Sequence, residues 1–272
     1  MRRETSLEKL PRTVFVWASL LLAFMAFGVF LTPVVLLLAL LGLDPERRVS
    51  ARIARAAFRA YIVWGTVIGK ARIRGHVPRR GPFVVVSNHE SGFDTFLVIA
   101  LSPPPTRIVS KAANRRVPVV GLAAWASAAL FLRDERGLET GGLGPLEEAR
   151  QLIERGVSVA FFVEGSRSRG RGVRRFRRGA FELAAATGVP VLPIVIAGSG
   201  EFMPPGVGPL GPLRVTMEVL PPRRVLGDVD EFRKALRAEI AARHAAILAE
   251  PHHAVTRSER SIVPTEEPAL ES

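Results

Sequence analysis

The sequence predicts an α/β protein in which a mixed, mostly buried sheet is covered by helices and preceded by an N-terminal membrane-embedded helical segment. Short β-rich runs alternate with helical segments after Gly69, as in sheets covered by helices. Several runs, such as Phe83–Val86, are apolar on both faces, which is typical of strands buried on both sides. A long uncharged stretch precedes them. We therefore expect a membrane anchor with a basic amphipathic helix at 1–69, an α/β domain at 70–250 and a disordered tail at 251–272.

The membrane segment is predicted from Val14 to Leu43, where no residue is charged. A straight helix of this length would reach roughly 45 Å, against about 30 Å for the hydrocarbon core of a bilayer. Thr32-Pro33 interrupts it, because proline removes a backbone donor and disfavours helix in the preceding residue. A tilted, kinked span and a re-entrant hairpin both remain open, and basic residues on both flanks favour the hairpin slightly. A buried helix of a soluble protein fits less well.

A basic stripe marks the next predicted helix. Arg48, Arg52, Arg55 and Arg59 recur at helical spacing, and apolar residues occupy the remaining surface. Such a helix suits the surface of an anionic bilayer. An amphipathic helix packed on a protein core has the same pattern, so both interpretations stay open.

The elements of the α/β domain follow from hydrophobic periodicity and turn residues. Asp228, followed by Glu231, predicts a capping box that opens a helix running to about Ala249. The glycine- and proline-rich stretch Gly200–Pro212 is expected to lack regular structure. Strands are predicted at Ala71–Arg74, Phe83–Ser87, Arg107–Ser110, Leu130–Arg133, Ser158–Val163, Val191–Ala197 and Val215–Leu220. The other helices are predicted at Phe93–Ala100, Val119–Ala128, Leu146–Arg155 and Arg177–Thr187.

Composition narrows the classes of function. The chain has 272 residues and no cysteine, which excludes disulfide scaffolds and thiol nucleophiles. Its formal net charge of +13 favours nucleic acid, anionic lipid headgroups or phosphorylated substrates as partners. Nucleic acid fits poorly, because Phe176 is the single aromatic residue in the basic run from Arg167 to Arg178, and single-strand binders interleave aromatic and basic residues.

The stretch from Asn88 to Asp94 follows a buried strand and precedes an apolar helix, and active sites of open α/β sheets lie at such strand ends. Neutral His89 can take a proton from a hydroxyl, and Asp94 can orient its ring across the turn that contains Gly92. Alone, the pair fits a structural turn better than catalysis. A metal site is a less favoured alternative, because the pair lacks a nearby third ligand and would have to recruit Glu90 or Glu164.

A second polar turn, Glu164–Ser168, also follows a buried strand. Glycine and serine in a turn expose backbone N–H groups, and arginine donates to phosphate oxygens. Gly165, Ser166 and Arg167 are therefore candidates for holding a phosphomonoester, whereas the later arginines are interpreted as surface charge. A solvated basic loop, or one that touches lipid headgroups, is the alternative.

These turns belong to four sequence blocks that occur in a fixed order between Arg72 and Gly198. Any single block is a weak signal, but the four together are specific. They are Asn88, His89 and Asp94 of N-H-x-x-x-x-D; Lys111, Pro118, Gly121, Phe131, Leu132 and Arg133 of a block from lysine through P-x-x-G to F-I-x-R; Phe162, Glu164, Gly165, Ser166, Arg167 and Ser168 of F-P-E-G-T-R-S; and Val189, Pro190 and Pro193 of V-P-x-x-P.

Through these blocks the sequence resembles the glycerolipid acyltransferases, specifically the 1-acylglycerol-3-phosphate acyltransferases. Val163 replaces the usual proline and Ser166 the usual threonine of the third block. In the second block Asp134 follows Arg133 instead of an acid preceding it, so Arg136 is the alternative to Arg133. The departures bear on the acyl acceptor more than on the chemistry.

The resemblance implies a mechanism. His89, oriented by Asp94, deprotonates the sn-2 hydroxyl of lysophosphatidate, which attacks the thioester of acyl-CoA or acyl carrier protein. Lys111, Arg133 and the turn Gly165–Arg167 hold the phosphate of the acceptor. Glu164 either orders that turn or contacts glycerol oxygens.

The resemblance also implies the setting of the reaction. No metal or other cofactor is called for, because the acyl thioester is a co-substrate. The partners are lysophosphatidate, the thioester (with acyl carrier protein as one carrier) and membrane lipids, with no nucleic acid. The catalytic domain is expected on the cytoplasmic face of a bacterial inner membrane. The alternatives are an acyltransferase for another lyso-lipid and a non-catalytic adaptor that binds anionic lipids.

Overall fold

The computed structural model describes residues 32–44, 48–67, 71–116, 129–132, 146–168, 172–202 and 214–251. Within these ranges the chain forms seven strands, seven α-helices and a short 3₁₀ helix at Ala112–Arg116. The strands are β1 Ala71–Gly75, β2 Val84–Ser87, β3 Thr106–Lys111, β4 Leu130–Leu132, β5 Ser158–Phe162, β6 Val191–Ala197 and β7 Val215–Val219. The helices are α1 Thr32–Leu40, α2 Arg48–Val67, α3 Asp94–Leu101, α4 Glu147–Glu154, α5 Gly179–Thr187, α6 Ser199–Phe202 and α7 Val229–Leu248.

The seven strands form one mixed sheet in the order β1-β7-β6-β2-β5-β3-β4. Strands β6, β2, β5, β3 and β4 run parallel, so their carboxyl ends lie at the same edge. Strand β7 is antiparallel to β6 and parallel to β1, so these two outer strands point the other way. The predicted α/β class and mixed sheet are confirmed, and each predicted strand is present with both ends within one residue of the predicted bounds.

Helices cover both faces of the sheet, because the central strands carry apolar side chains on both sides. Helices α4, α5 and α7 pack on one face, and α2 and α3 pack on the other. Strand β2 shows the alternation most simply, since its consecutive valines belong to opposite cores. The first core includes Val84, Val86, Phe181 and Ile240, and the second includes Val85, Phe58 and Leu97.

The basic helix α2 packs on the protein core through one face. Ala54, Phe58 and Ile62 are buried there, whereas Arg52 and Arg59 are exposed. The structure thus shows the core-packed form of the amphipathic helix. Contact of its basic face with a bilayer stays a prediction.

The predicted membrane segment lies mostly outside the described residues. Its C-terminal part forms α1 and the turn after it, where Leu40 is 81% and Leu43 is 65% exposed. Among the described helices, none combines the length and the apolar character that crossing a bilayer requires. The choice between a span and a hairpin concerns residues 14–31, which lie outside the described ranges. The predicted helix at 119–128 and the predicted disordered tail, except Pro251, also lie outside them.

One helix start and one predicted loop differ from the structure. Helix α5 begins at Gly179 instead of Arg177, and the backbone N–H of Arg177 donates to the carbonyl of Val163 at 2.7 Å. The prediction that Gly200–Pro212 lacks regular structure is wrong for its first residues. There α6 forms, since burial of Phe202 against Phe93 favours one helical turn after Gly198.

The C-terminal helix α7 begins as the capping pattern predicts. The side chain of Asp228 accepts the backbone N–H of Glu231 at 2.8 Å. Two arginines of α7 then hold residues 172–178, here called the basic segment. Arg233 donates to the carbonyl of Phe176, and Arg237 donates to the carbonyls of Val173 and Arg174. Helix α7 thereby fixes a segment that lies next to the site described below.

Candidate functional site

The predicted site residues gather at the carboxyl edge of the parallel strands, where active sites of open α/β sheets lie. The Asn88–Asp94 stretch follows β2, the turn Glu164–Ser168 follows β5, and Lys111 ends β3. Because β2 pairs with β5 on one side and with β6 on the other, the first two stretches are neighbours.

Asn88 fixes the chain as it leaves β2. Its side-chain nitrogen donates to the carbonyl of Ile196 at 2.7 Å, and its side-chain oxygen accepts the N–H of Ile196 at 2.8 Å. The amide therefore takes the place of a backbone partner for β6. Asn88 is buried, and it sets the direction in which the following residue leaves the sheet.

His89 and Asp94 lie in direct contact. Nδ1 of His89 is 2.9 Å from Oδ2 of Asp94, which also accepts the backbone N–H groups of Glu90 at 2.6 Å and Ser91 at 2.8 Å. Since a carboxylate only accepts, Nδ1 carries the hydrogen and Nε2 is the basic nitrogen. Asp94 is fully buried, whereas 16% of the His89 side chain is exposed.

The ring of His89 is also held across its face. It stacks on Phe162, with ring centroids 3.9 Å apart and planes inclined by 12°. The ring is thus fixed along one edge by Asp94 and across its face by Phe162. A partly exposed imidazole in this state presents Nε2 in a defined direction.

Glu164 joins the two polar turns. One carboxylate oxygen accepts the backbone N–H of His89 and the other accepts that of Arg174, both at 3.0 Å. Burial raises the pKa of Glu164 above its ordinary value, although these two hydrogen bonds oppose the rise. Of the two predicted roles, ordering of the backbone is the one that these contacts display.

The turn after Glu164 is compact. Gly165 adopts a positive φ of 70°, and the N–H of Ser168 donates to the carbonyl of His89 at 2.7 Å. The hydroxyl of Ser166 accepts a hydrogen bond from the guanidinium of Arg174. Arg167 is exposed beside them. The turn therefore presents a serine and an arginine next to the His89 motif.

Two of the later arginines, interpreted from the sequence as surface charge, also take part in this turn. Arg174 is exposed, its backbone N–H donates to Glu164, and its guanidinium donates to Ser166. Arg177 lies directly over Gly165, because a Cβ added at that glycine would fall 2.0 Å from Nε of Arg177. The sequence does carry a signal for these contacts. Both arginines follow Gly165 closely enough that the chain can turn back and bring them over it.

The second block is only partly described. Lys111 is exposed at the end of β3, on the same edge of the sheet as the other candidates. Arg133, its alternative Arg136, and the pair Pro118 and Gly121 lie outside the described residues. Their assignment therefore rests on the sequence alone.

A buried cluster behind Asp94 contains residues that the sequence did not assign. Ser199 donates its hydroxyl hydrogen to Oδ1 of Asp94 and lies 3.1 Å from Oε2 of Glu90. The other oxygen of Glu90 contacts Nε2 of His244 in α7. The sequence offers one signal for this cluster. His244 lies in the apolar stripe of the helix that is formed by Leu236, Ile240 and Ile247. Within the described ranges, no three histidine or acidic side chains are grouped so as to hold a metal ion.

Comparison with known proteins gives a consistent picture. The sequence model of the family described as "Acyltransferase" matches residues 70–197. A 1-acyl-sn-glycerol-3-phosphate acyltransferase of Chlamydomonas reinhardtii is 31% identical over 237 residues, which are 84% of this chain and 67% of that protein. The protein of the same name from Escherichia coli is 30% identical over 169 residues, which are 62% of this chain and 66% of that protein.

A solved structure shares the fold. The crystal structure of the 1-acyl-sn-glycerophosphate acyltransferase PlsC from Thermotoga maritima superposes with a TM-score of 0.66 and 23% sequence identity. The match covers 88% of this chain and 98% of that one.

Proposed function

The chain is an enzyme of the 1-acyl-sn-glycerol-3-phosphate acyltransferase family, and on this premise we propose that it transfers an acyl chain from acyl-CoA or acyl carrier protein to the sn-2 hydroxyl of lysophosphatidate. The product is phosphatidate. The observation that carries the proposal is the contact of 2.9 Å between Nδ1 of His89 and Asp94, which makes Nε2 a base at the edge of the sheet.

In the proposed reaction Nε2 of His89 takes the proton of the sn-2 hydroxyl as its oxygen attacks the thioester carbon. The imidazolium formed is stabilised by the Asp94 carboxylate. When the tetrahedral intermediate collapses, the C–S bond breaks and the thiolate takes the proton from Nε2. The ester bond replaces the thioester bond, and the enzyme returns to its first state without a metal or other cofactor.

We assign the phosphate of the acceptor to the turn Gly165–Arg167 and to Lys111, with Arg133 from outside the described residues. The support is that Arg167 and Lys111 are exposed cations on the edge of the sheet where His89 lies. Guanidinium groups suit phosphate oxygens, and Arg174 and Arg177, which contact this turn, add positive charge beside it. Positioning of the two substrates lowers the barrier by several kcal/mol in reactions of this kind.

The lipid acceptor implies a membrane setting, and we propose the cytoplasmic face of a bacterial inner membrane. The support is the apolar surface of α1 and its following turn, where Leu37, Leu40, Leu41 and Leu43 are exposed, together with exposed arginines on α2. The proposal keeps the division into an anchor region at 1–69, the catalytic domain at 70–250 and a tail at 251–272.

The test is acyl transfer by membrane fractions that contain the full chain, with lysophosphatidate and thioester donors of several chain lengths. His89→Ala should abolish phosphatidate formation while the protein still sediments with membranes. His76→Ala, which alters an exposed histidine in the loop between β1 and β2, is the matched control and should be active. Full activity of His89→Ala would exclude the mechanism.

The acceptor site needs a separate measurement. Arg167→Ala should raise the KM for lysophosphatidate more than that for the acyl donor, because only the acceptor carries the phosphate assigned to this turn. Arg79→Ala, on the opposite edge of the sheet, is the control. Equal activity towards a lyso-lipid without the phosphate would identify a different acceptor.

A further inference from the structure

Glu90 is a buried carboxylate that the proposed chemistry does not use. Only 8% of the residue is exposed, and its carboxylate lies between α6 and α7. Oε1 contacts Nε2 of His244. Oε2 accepts the backbone N–H of Gly200 and lies by the hydroxyl of Ser199, each at 3.1 Å. A buried charge persists only where it is paired and hydrogen-bonded, so these contacts are what keep Glu90 in place.

Ser199 stands between two carboxylates. Its hydroxyl oxygen contacts Oδ1 of Asp94 and Oε2 of Glu90, and it has a single hydrogen to donate. The acceptor that binds this hydrogen more strongly determines which way the hydroxyl points. Donation to Asp94 completes the set of hydrogen bonds that fix the carboxylate against His89, whereas donation to Glu90 leaves Oδ1 without that bond.

His244 influences, through Glu90, which of the two carboxylates accepts the Ser199 hydrogen. The Nε2–H group of His244 and the N–H of Gly200 donate to the Glu90 carboxylate and satisfy much of its demand for hydrogen bonds. The attraction of the Glu90 carboxylate for the Ser199 hydroxyl is reduced to that extent. The hydroxyl then donates to Asp94, whose Oδ2 already holds His89.

We propose that His244, acting through Glu90 and Ser199, is a positioning residue that fixes Asp94 and thereby His89 for proton abstraction. The proposal rests on the proposed function for its role in acyl transfer. It joins the penultimate turn of α7, 154 residues away from Glu90 in sequence, to the first motif. His244 does not reach the substrates and is not a catalytic residue.

A purely structural role of His244 is the competing explanation. Helix α7 has other anchors, however: the buried side chains of Leu236, Ile240 and Ile247 and the arginine bonds to the basic segment. The helix therefore does not depend on His244 alone for its place. The two explanations differ in whether loss of the N–H donor at 244 changes the chemistry at His89.

The experiment compares His244→Gln, which keeps an N–H donor, with His244→Leu, which has similar volume and no donor. We expect His244→Leu to lower kcat by roughly tenfold, since hydrogen bonds to charged groups are worth about that factor or more, and to leave both KM values unchanged. His244→Gln should stay within about twofold of the unmodified enzyme. If both variants lose stability equally and keep kcat, the structural explanation holds and the proposal is overturned.

A double variant guards against misfolding of His244→Leu. In Glu90→Gln/His244→Leu the unpaired carboxylate is gone, and the Ser199 hydroxyl should donate to the charged Asp94 instead of the neutral amide. Recovery of kcat towards the unmodified value would support the proposal. A double variant that folds and is no faster than His244→Leu would contradict it.

A second readout requires no lipid and so separates this proposal from the proposed function. Diethyl pyrocarbonate acylates the basic nitrogen of histidine, and mass spectrometry of the His89 peptide gives its rate. The rate should fall several-fold in His244→Leu but not in His244→Gln, with exposed His76 as internal reference. If the unmodified protein transfers no acyl chain yet shows this pattern, the proposed function fails and the positioning role stands. Equal rates in both variants would overturn it.

Discussion

Ser199 donates its hydroxyl hydrogen to Oδ1 of Asp94, which links the first residue of α6 to the carboxylate that holds His89. Ser199→Ala removes this donor from a fully buried site. We expect kcat for acyl transfer to fall by about tenfold, with unfolding free energy lowered by about 1–3 kcal/mol. Steady-state kinetics and thermal denaturation in detergent measure the two effects.

The control for Ser199 is Ser102→Ala. Ser102 is equally buried, but its hydroxyl donates to the carbonyl of Val98 within α3. It should lose stability and keep kcat. A parallel loss of kcat in both variants would show that the site responds to stability alone.

Asp94→Asn keeps the shape of the side chain and removes its charge. The amide oxygen can still accept from His89, Glu90 and Ser91, but it stabilises an imidazolium less. We expect kcat to fall by about a hundredfold or more, as when general-base catalysis is lost. Asp228→Asn, which alters the exposed cap of α7, should keep activity, because asparagine caps helices as well as aspartate. Near-normal turnover by Asp94→Asn would argue against a charged partner for His89.

Glu164 predicts a pH dependence of stability. Burial raises its pKa above 4.5, the ordinary value, so the native state binds this proton more tightly than the unfolded chain. As pH rises from below 4.5 through the raised pKa, the unfolding free energy should fall relative to that of Glu164→Gln, which has no proton to lose. Urea unfolding at several pH values measures this difference. Exposed Glu148→Gln is the control. If the unfolding free energy of the unmodified protein rose with pH relative to that of Glu164→Gln, the sign of the prediction would be wrong.

Gly165→Ala tests the packing of Arg177 over the turn. The new methyl group would displace the guanidinium, and we expect the KM for lysophosphatidate to rise several-fold. Gly172→Ala provides a close match, since Gly172 has the same φ of 70° but nothing within 4 Å of an added Cβ. Both variants carry backbone strain of about 1–2 kcal/mol. An equal change in KM in both would assign the effect to strain.

The sheet could be predicted from the sequence because its strands are short apolar runs bounded by turn residues. Ser158–Phe162 and Val191–Ala197 lie close to the predicted bounds, and both are almost wholly buried. The end of α5 at Thr187 was predicted correctly, but its start was placed two residues too early. The N–H of Arg177 donates to the carbonyl of Val163, a bond that exists only once the chain folds back.

The site was predictable where its residues are close in sequence. His89 and Asp94 meet across one turn, and the family blocks pointed to them. Ser199 and His244 were not predictable in the same way, since each meets the first motif only after a strand or a helix has docked. Glu164 was identified, but its bonds to two distant backbone N–H groups required the folded chain.

The place of β7 between β1 and β6 has a consequence for synthesis of the chain. Among the strands that the structure describes, β1 is the first to leave the ribosome, and its partner β7 is the last. At typical rates of translation, on the order of ten seconds separate them. During that interval Ala71–Gly75 has an unsatisfied edge, which chaperones bind and proteases cleave. A chain interrupted before Val215 would carry the His89 motif and yet leave β1 without its partner strand.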